Sequence, residues 1–485
     1  MREGPDGQPD IRPMAEFRQG GRKALSKAGR IAARLVAAME GRQLRPGSRL
    51  ASIRQGAREQ GVSKNTMAEA YERLVASGHL EARRGAGYFV SGRPSRPAGL
   101  VPAARREVAE ALNLVSLLRE QTEEHYLVRP GEGRPPPSWM EGSELARHLT
   151  QASRALYRGE AHGYGSSWGY APLRERIALS LAERSLPCGP EQVLLTQGAN
   201  HALDLVIRHL IAPGDRVLVD DPGYYPLFAK LRLAKAEILG VRRTAAGPDV
   251  EHLAAQLARR PARAFFTQSL AHNPTGGTLT PAVAAAVLRL TERHGCLLVE
   301  DDPFADLLPA AGPRLAALDG LRQVLYVGTF SKTLSASLRV GYLAGPAPLV
   351  AALNDLKLLT VVSTSQYAER LVCRLMEAGH YRRHLRRLAR RVEAATAQAL
   401  RDLAAIGLPL ARPPGGGFYL WARLPPGLDE EALCRRAAAQ GIFLAPGAVF
   451  SPERGAGPAA LRINVAHAGD PRFLDFMARA LAAGA

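Results

Sequence analysis

Lys332 lies in the run Gly328-Thr329-Phe330-Ser331-Lys332-Thr333-Leu334-Ser335-Ala336-Ser337-Leu338-Arg339-Val340-Gly341-Tyr342, directly after an apolar, strand-like stretch. A lysine presented in this way can offer a neutral amine, and a neutral amine condenses with an aldehyde to a Schiff base. The hydroxyls of Thr329 and Ser331 precede it, and Arg339 follows seven residues later. Small hydroxyls and a planar guanidinium together hold a phosphate dianion well. The spacing therefore suits an aldehyde cofactor anchored by its phosphate. A Ser-Lys pair in a loop is more often only a solvated lysine, so the chemistry depends on partners elsewhere in the chain.

The stretch closely resembles the cofactor-lysine motif of aminotransferases that use pyridoxal phosphate, and further elements follow that family's order. His272-Asn273-Pro274-Thr275-Gly276 resembles its asparagine-proline turn, which implies that the Asn273 amide reaches the cofactor's phenolate oxygen. Cys296-Leu297-Leu298-Val299-Glu300-Asp301 is an apolar run ending in acid, read as a buried strand that delivers a carboxylate at its carboxyl end. The resemblance implies that Asp301 pairs with the pyridinium nitrogen and so keeps the ring an electron sink. Leu195-Thr196-Gln197-Gly198-Ala199-Asn200 reads as a strand, a glycine turn and a helix start, where the exposed amides favour a phosphate. Asp221-Pro222-Gly223-Tyr224 resembles the turn that lays an aromatic ring over the cofactor, with Tyr224 as the stacking residue. Tyr164 matches a tyrosine that crosses a dimer interface to the neighbour's phosphate. Arg462, in Leu461-Arg462-Ile463-Asn464, matches the arginine that grips a substrate α-carboxylate with a bidentate fork. Each element alone has a plainer reading as a turn, a helix start or a strand-end cap. Their shared order over about 300 residues carries the inference, because motifs gain force from context.

One position departs from the pattern. The family carries Asp-x-x-Tyr, with a tyrosine hydroxyl that also bonds the phenolate oxygen, whereas this chain has Asp301-Asp302-Pro303-Phe304. Phe304 keeps the ring and loses the donor, which predicts retained binding with weakened proton traffic around Lys332. On that alignment Phe304→Tyr restores the donor. A register one residue off would instead bring Tyr326 or another hydroxyl nearby.

These side chains need a scaffold that gathers strand ends. From Gln192 onward, apolar strands such as Val217 to Val219, Ala264 to Phe266, Leu297 to Val299 and Val324 to Val327 alternate with helical stretches. That alternation predicts an α/β domain with a mainly parallel, doubly wound sheet. The resemblance adds a smaller C-terminal α/β subdomain and the aminotransferase fold. Arg129-Pro130-Gly131-Glu132-Gly133-Arg134-Pro135-Pro136-Pro137 resembles the glycine-proline loop that opens the large domain near the substrate.

Residues 21–92 read differently, as three helices and a short hairpin. Ala28, Ile31, Leu35, Ala38 and Met39 recur at helical spacing; Ser52 offers an N-cap to a second helix that stops at Gly61; Ser63 caps a third. In that third helix Met67, Ala70, Tyr71, Leu74 and Val75 form the core face, while Lys64, Asn65, Ala68 and Glu69 point outward. Leu80 to Val90 alternates to a glycine turn and back, which makes a wing. The segment strongly resembles the DNA-binding domain of the GntR family, a winged helix-turn-helix. The resemblance implies double-stranded operator DNA as partner, with Arg54, Ser63, Lys64, Asn65 and Thr66 at the groove and Arg83, Arg84 and Gly85 in the wing. Ala51 stands where a proline is usual and Gly56 where a core leucine is usual, which predicts a loosely packed second helix.

Charge fits this division. Residues 1 to 100 hold nineteen Lys and Arg against nine Asp and Glu, a net of +10 out of the chain's +19. A basic N-terminal fifth is the footprint of phosphate contacts. Arg382, Arg383, Arg386, Arg387, Arg390 and Arg391 form a further stripe along one side of a helix, which reads as a second DNA-facing surface or, more commonly, a solvated face. At 485 residues and 46% hydrophobic, the chain has room for one small and one large domain. No stretch is apolar enough to span a bilayer and the first residues do not begin a signal peptide, so a soluble cytoplasmic protein is expected. The four cysteines are scattered without metal-ligand spacing, and no metal site is expected. The expected organisation is a disordered tail over 1–20, a winged helix over 21–92, a linker over 93–120 and an effector domain over 121–485. This combination resembles the MocR (GabR-like) transcription regulators. The resemblance implies a homodimer, domain-swapped so that each DNA-binding domain packs on the other subunit's large domain. It further implies an amino acid or amine effector and no efficient turnover. A working aminotransferase with an accessory DNA-binding domain shares every cofactor residue and is the alternative.

Overall fold

The structure, a computed structural model, describes residues 27–40, 44, 47–76, 79–83, 86–91, 118–119, 123, 125–156, 163–304, 306–308, 312–411, 413, 416–453 and 457–483. The expected tail, most of the linker, and Arg84 and Gly85 of the wing lie outside these residues. The chain divides into two compact units, residues 1–103 and 104–485.

In the first unit, α1 (Lys27–Glu40), α2 (Ile53–Glu59) and α3 (Lys64–Ala76) precede a hairpin of β1 (Leu80–Arg83) and β2 (Gly87–Val90). Ser52 caps α2 by accepting the Gln55 amide at 3.2 Å, and Ser63 caps α3 by accepting the Thr66 amide at 3.1 Å. Both caps satisfy amide donors that the first helical turn leaves open. Ala28, Ile31, Met67, Ala70, Tyr71, Leu74, Leu80 and Val90 form the core. The expected looseness at Gly56 is not there. A side-chain carbon at Gly56 would meet the Met67 methyl at 2.7 Å, so the flexible Met67 fills the space a leucine would take. Tyr71 also donates its hydroxyl to the Ala51 carbonyl at 2.9 Å, tying the start of α2 to α3 where proline stiffening is missing.

The second unit is built on an eight-stranded sheet in the order β3-β10-β9-β8-β7-β4-β5-β6. Its strands are β3 (Val193–Thr196), β4 (Arg216–Asp221), β5 (Glu237–Thr244), β6 (Gly247–Pro248), β7 (Ala264–Thr267), β8 (Leu297–Asp302), β9 (Val324–Thr329) and β10 (Gly341–Ala344). The pairs β4 with β5, β4 with β7, β7 with β8 and β8 with β9 are parallel, and β10 runs antiparallel between β9 and β3. Helices cover both faces, which is why these strands read as unbroken apolar runs. Val324 and Tyr326 of β9 pack into one core and Leu325 and Val327 into the other, as the two-residue side-chain period requires. After β5 the chain returns past β4 to β7, and a crevice opens at the carboxyl ends of the strands at such a reversal. A three-stranded antiparallel sheet, β11 (Tyr419–Arg423), β13 (Ala460–Asn464) and β12 (Ala445–Pro446), forms the C-terminal subdomain.

The arginine stripe lies on the helix His380–Ala405. Arg387 is taken up by the Gly142 carbonyl, Arg391 donates to the Ser138 carbonyl at 3.2 Å, and Arg382 pairs with Glu183 at 2.7 Å. Five of the six arginines are exposed, as on a solvated face, and three of the six also tie the segment around 138–142 and the helix that ends near Glu183 to this long helix.

Candidate cofactor site and nucleic-acid interface

The carboxyl ends of three strands and one helix start converge on a cavity of about 370 Å³. Its walls include Ala199, Asn200, Tyr224, Asn273, Asp301, Thr329, Ser331, Lys332 and Arg339, nine of the residues singled out in the sequence. Asp301 comes from the end of β8 and Thr329 from the end of β9, and Lys332 stands three residues further on. A tenth, Gly198, does not line the cavity but stands beside it: at φ +79° it caps the helix Ala199–Leu210. A side-chain carbon there would meet the Arg339 guanidinium at 2.8 Å, and one at Gly341 would meet the Gly198 Cα at 2.6 Å. Two glycines back to back therefore keep the cradle open between the helix amides and Arg339. Arg339 reaches Ser331 Oγ at 3.4 Å, and Ser331 Oγ lies 3.1 Å from Thr329 Oγ1. Hydroxyls, guanidinium and helix amides thus face one another, which is the donor set a phosphate needs.

At the other end of the cavity Asp301 is buried. Its Oδ2 accepts from the Gln268 amide at 2.7 Å, while Oδ1 has no partner among the described residues. Burial lifts its carboxyl to about 6, against the pull of the Gln268 hydrogen bond. A buried carboxylate oxygen without a donor is costly unless a cationic or N–H group completes it, and a protonated pyridine nitrogen does so. Gln268 also accepts the Asn273 amide N–H at 2.7 Å, so one side chain positions both residues. Burial first, and then the charge of Arg462, bring the Lys332 amine down to about 8. These features fit pyridoxal phosphate: an amine close to neutrality, an orphaned carboxylate oxygen and an open phosphate cradle.

Arg462 is 2% exposed, in the middle of β13. Its Nη1 donates to Asn273 Oδ1 at 3.1 Å and its Nη2 to the Gly131 carbonyl at 2.7 Å, with the guanidinium over the Tyr419 and Phe450 rings. The neighbouring loop is held the same way. The Gly133 carbonyl accepts from Lys332 Nζ at 2.5 Å and from the Tyr419 hydroxyl at 2.9 Å, and Asn464 Nδ2 donates to the Glu132 and Arg134 carbonyls. Tyr164 does not line this chain's cavity and is 87% exposed.

Two expectations about hydroxyls need correction. Phe304 is fully buried among Phe418, Tyr419, Leu307, Leu388 and Val392, and Pro303 takes the place on the cavity wall. Tyr326 donates to Asp302 Oδ2 at 2.9 Å inside the core. An Asp-Pro turn after β8 points residue 304 behind the wall, a direction that spacing along the chain does not reveal. Phe304→Tyr is therefore expected to leave the site chemistry unchanged and to cost about 1–3 kcal/mol of stability, because its hydroxyl enters an apolar cluster. Thermal unfolding checks this; an unchanged melt together with faster amine chemistry would return residue 304 to the cavity wall. Gln268, Pro303 and Tyr419 were missed in the sequence. For Gln268 a signal existed, a polar residue directly after the buried run of β7.

In the first unit the proposed groove residues Arg54, Ser63, Lys64 and Asn65 are exposed and Thr66 is half-buried. Ser63 Oγ lies 2.8 Å from Thr66 Oγ1, so both hydroxyls are engaged locally in the cap. Arg83 packs over the Phe89 ring at 4.5 Å on the wing. Arg49, unremarked in the sequence, bridges to Phe89 and lies against Gly87, adding a cation beside the wing.

A winged helix and a fold-type aminotransferase site thus occupy one chain. Residues 130–481 match the family Aminotransferase class I and II, and residues 27–90 match Bacterial regulatory proteins, gntR family. The chain is 31% identical over 426 residues to the HTH-type transcriptional regulator TauR of Rhodobacter capsulatus, covering 84% of this chain and 86% of that protein. It is 29% identical over 420 residues to the probable rhizopine catabolism regulatory protein MocR of Rhizobium meliloti, covering 83% of each. Among solved structures it is similar to LysN, an alpha-aminoadipate aminotransferase of Thermus thermophilus complexed with N-(5'-phosphopyridoxyl)-L-leucine. That likeness has a TM-score of 0.69 at 28% identity and covers 77% of this chain and 97% of that one. The chain belongs to the class I and II aminotransferase family and, with its gntR-family N-terminal segment, to the MocR-type transcription regulators. No described helix is long and apolar enough to cross a membrane.

Proposed function

We propose that this DNA-binding regulator holds pyridoxal phosphate in its large unit and senses through it an amino acid or amine, changing operator binding with little turnover. The observation that carries this reading is one chain joining an exposed helix start of DNA-reading type to a lysine set among Asp301, Asn273 and Arg339. Bound there, pyridoxal phosphate supplies an electrophilic aldehyde conjugated to an electron-withdrawing ring. Lys332 holds the aldehyde carbon, Asp301 offers Oδ1 to the ring nitrogen, and Tyr224 covers the ring. Asn273 serves the phenolate oxygen, while Thr329, Ser331, Arg339 and the first amides of Ala199–Leu210 take the phosphate. Arg462 takes the effector's carboxylate.

The working form in this reading is a domain-swapped homodimer in the cytoplasm on double-stranded operator DNA. Tyr164, at 87% exposed, reaches the neighbour's phosphate. The exposed Leu359, Val362 and Tyr367 supply apolar surface of the kind a subunit interface covers. Lys357 bonds the Ser167 carbonyl and a side chain at Gly165 would meet Gln366, so the loop carrying Tyr164 packs beside that surface.

The reading is tested by titrating the loaded protein with amino acids and amines while following operator binding and keto-acid release together. At least one compound is expected to change operator affinity by about 5- to 150-fold, the range of common allosteric couplings, with slow or no keto acid. Fast steady-state turnover with no effect on DNA would establish the aminotransferase reading instead.

A further inference from the structure

We infer that Tyr419 supplies the hydroxyl that Phe304 does not, acting as a positioning residue for the Lys332 nitrogen and the cofactor's phenolate oxygen. The inference rests on the cofactor reading above. Tyr419 begins β11, in the C-terminal subdomain, far in sequence from the strand that carries Asp301. It lines the same cavity as Asn273, Asp301 and Lys332. Its hydroxyl and the Lys332 amine donate to one atom, the Gly133 carbonyl oxygen, at 2.9 and 2.5 Å, which makes the two groups immediate neighbours. Its ring is fixed on one side by the Arg462 guanidinium at 4.9 Å and on another by the Phe304 ring, in an edge-to-face arrangement with the two centroids 5.9 Å apart. Arg462 in turn bonds Asn273, the residue read as the other donor to the phenolate.

The other hydroxyls on the described cavity wall belong to Tyr224, which covers the ring in this reading, and to Thr329 and Ser331 in the phosphate cradle. Burial raises the Tyr419 phenol to about 12, so at neutral pH it remains protonated and serves as a donor. Phe304 therefore gains a purpose: it backs the tyrosine ring rather than replacing one.

A donor to an oxyanion favours the state in which that oxygen carries the charge, and its removal lets a neighbouring nitrogen keep its proton to higher pH. The test is the visible absorbance of protein loaded with pyridoxal phosphate, titrated across the neutral range. Tyr419→Phe deletes only the hydroxyl and is expected to move the midpoint upward by about one pH unit, as for one lost hydrogen bond to an ionised oxygen. Phe304→Tyr is expected to leave the midpoint in place and to give no rescue in the Tyr419→Phe background. Fluorotyrosine placed at 419, a stronger donor with the ring retained, is expected to move the midpoint down and serves if Tyr419→Phe does not load. A normal band whose midpoint ignores changes at 419, or a rescue by Phe304→Tyr, overturns the inference alone. A wild-type protein that develops no visible band overturns the cofactor reading and this inference with it.

Discussion

Lys332→Ala is expected to abolish covalent capture of pyridoxal phosphate, with no cofactor fixed to the chain by borohydride. The wild type is expected to be yellow and to carry the reduced adduct on the peptide containing Lys332. No other described lysine lines this cavity, so nothing substitutes for the amine. The cradle of Thr329, Ser331, Arg339 and helix amides survives the substitution, and loose, reversible phosphate binding is expected to remain. The wild-type rate should also depend on pH in a defined sense. Only the neutral amine attacks, and with the Lys332 amine brought to about 8, uptake should rise through that pH and then level off. An ordinary lysine near 10.4 would have roughly two hundredfold less neutral amine at neutral pH. Mass spectrometry after borohydride and uptake rates across pH check both parts. Undiminished fixation in Lys332→Ala, or uptake still climbing well past pH 8, would show that the reactive amine lies elsewhere.

The second large effect concerns DNA. Lys64→Ala or Asn65→Ala, at the first turn of α3, is expected to cost about 1–3 kcal/mol on the cognate operator and little on random DNA if the residue reads a base edge. Both side chains are exposed and neither helps build the Ser63 cap, so the fold should not change. Arg54→Ala, by contrast, should weaken both kinds of DNA and reduce the steepness with which affinity falls with salt, as for a lost phosphate contact. Gel-shift titrations at several salt concentrations separate the two patterns. Equal losses on specific and random DNA for both α3 residues would place base reading on another element.

The parts of the site that could be read in the sequence share one trait. Asp301, Thr329 and Gly198 each follow an apolar run that is buried on both faces, so the end of the run marks the edge of the sheet and the mouth of the crevice. The parts that could not be read depend on direction rather than position. Phe304 stands three residues after Asp301, as the family tyrosine would, but the backbone at Pro303 turns it away from the cavity. Tyr419 opens an apolar strand just after Gly415-Gly416-Gly417-Phe418, and nothing in that pattern tells what its hydroxyl meets. Gly56 shows the same limit in the small unit. Its missing side chain reads as a hole until the long Met67 side chain, eleven residues away, is found lying in it.

The hold on residues Gly131 to Arg134 makes ligand capture an exchange. Lys332 already donates to the Gly133 carbonyl, and Arg462 already donates to Asn273 Oδ1 and the Gly131 carbonyl, so both groups hold hydrogen bonds within the chain. A ligand that bonds covalently to Lys332 takes that donor from Gly133, and a carboxylate that takes the Arg462 fork removes the donor from Gly131. Its net affinity is then the difference between two sets of bonds, and weak ligands lose to the chain's own carbonyls. The same trade gives the site a way of telling ligands apart: an amine without a carboxylate leaves the Arg462–Gly131 bond in place, and an amino acid breaks it.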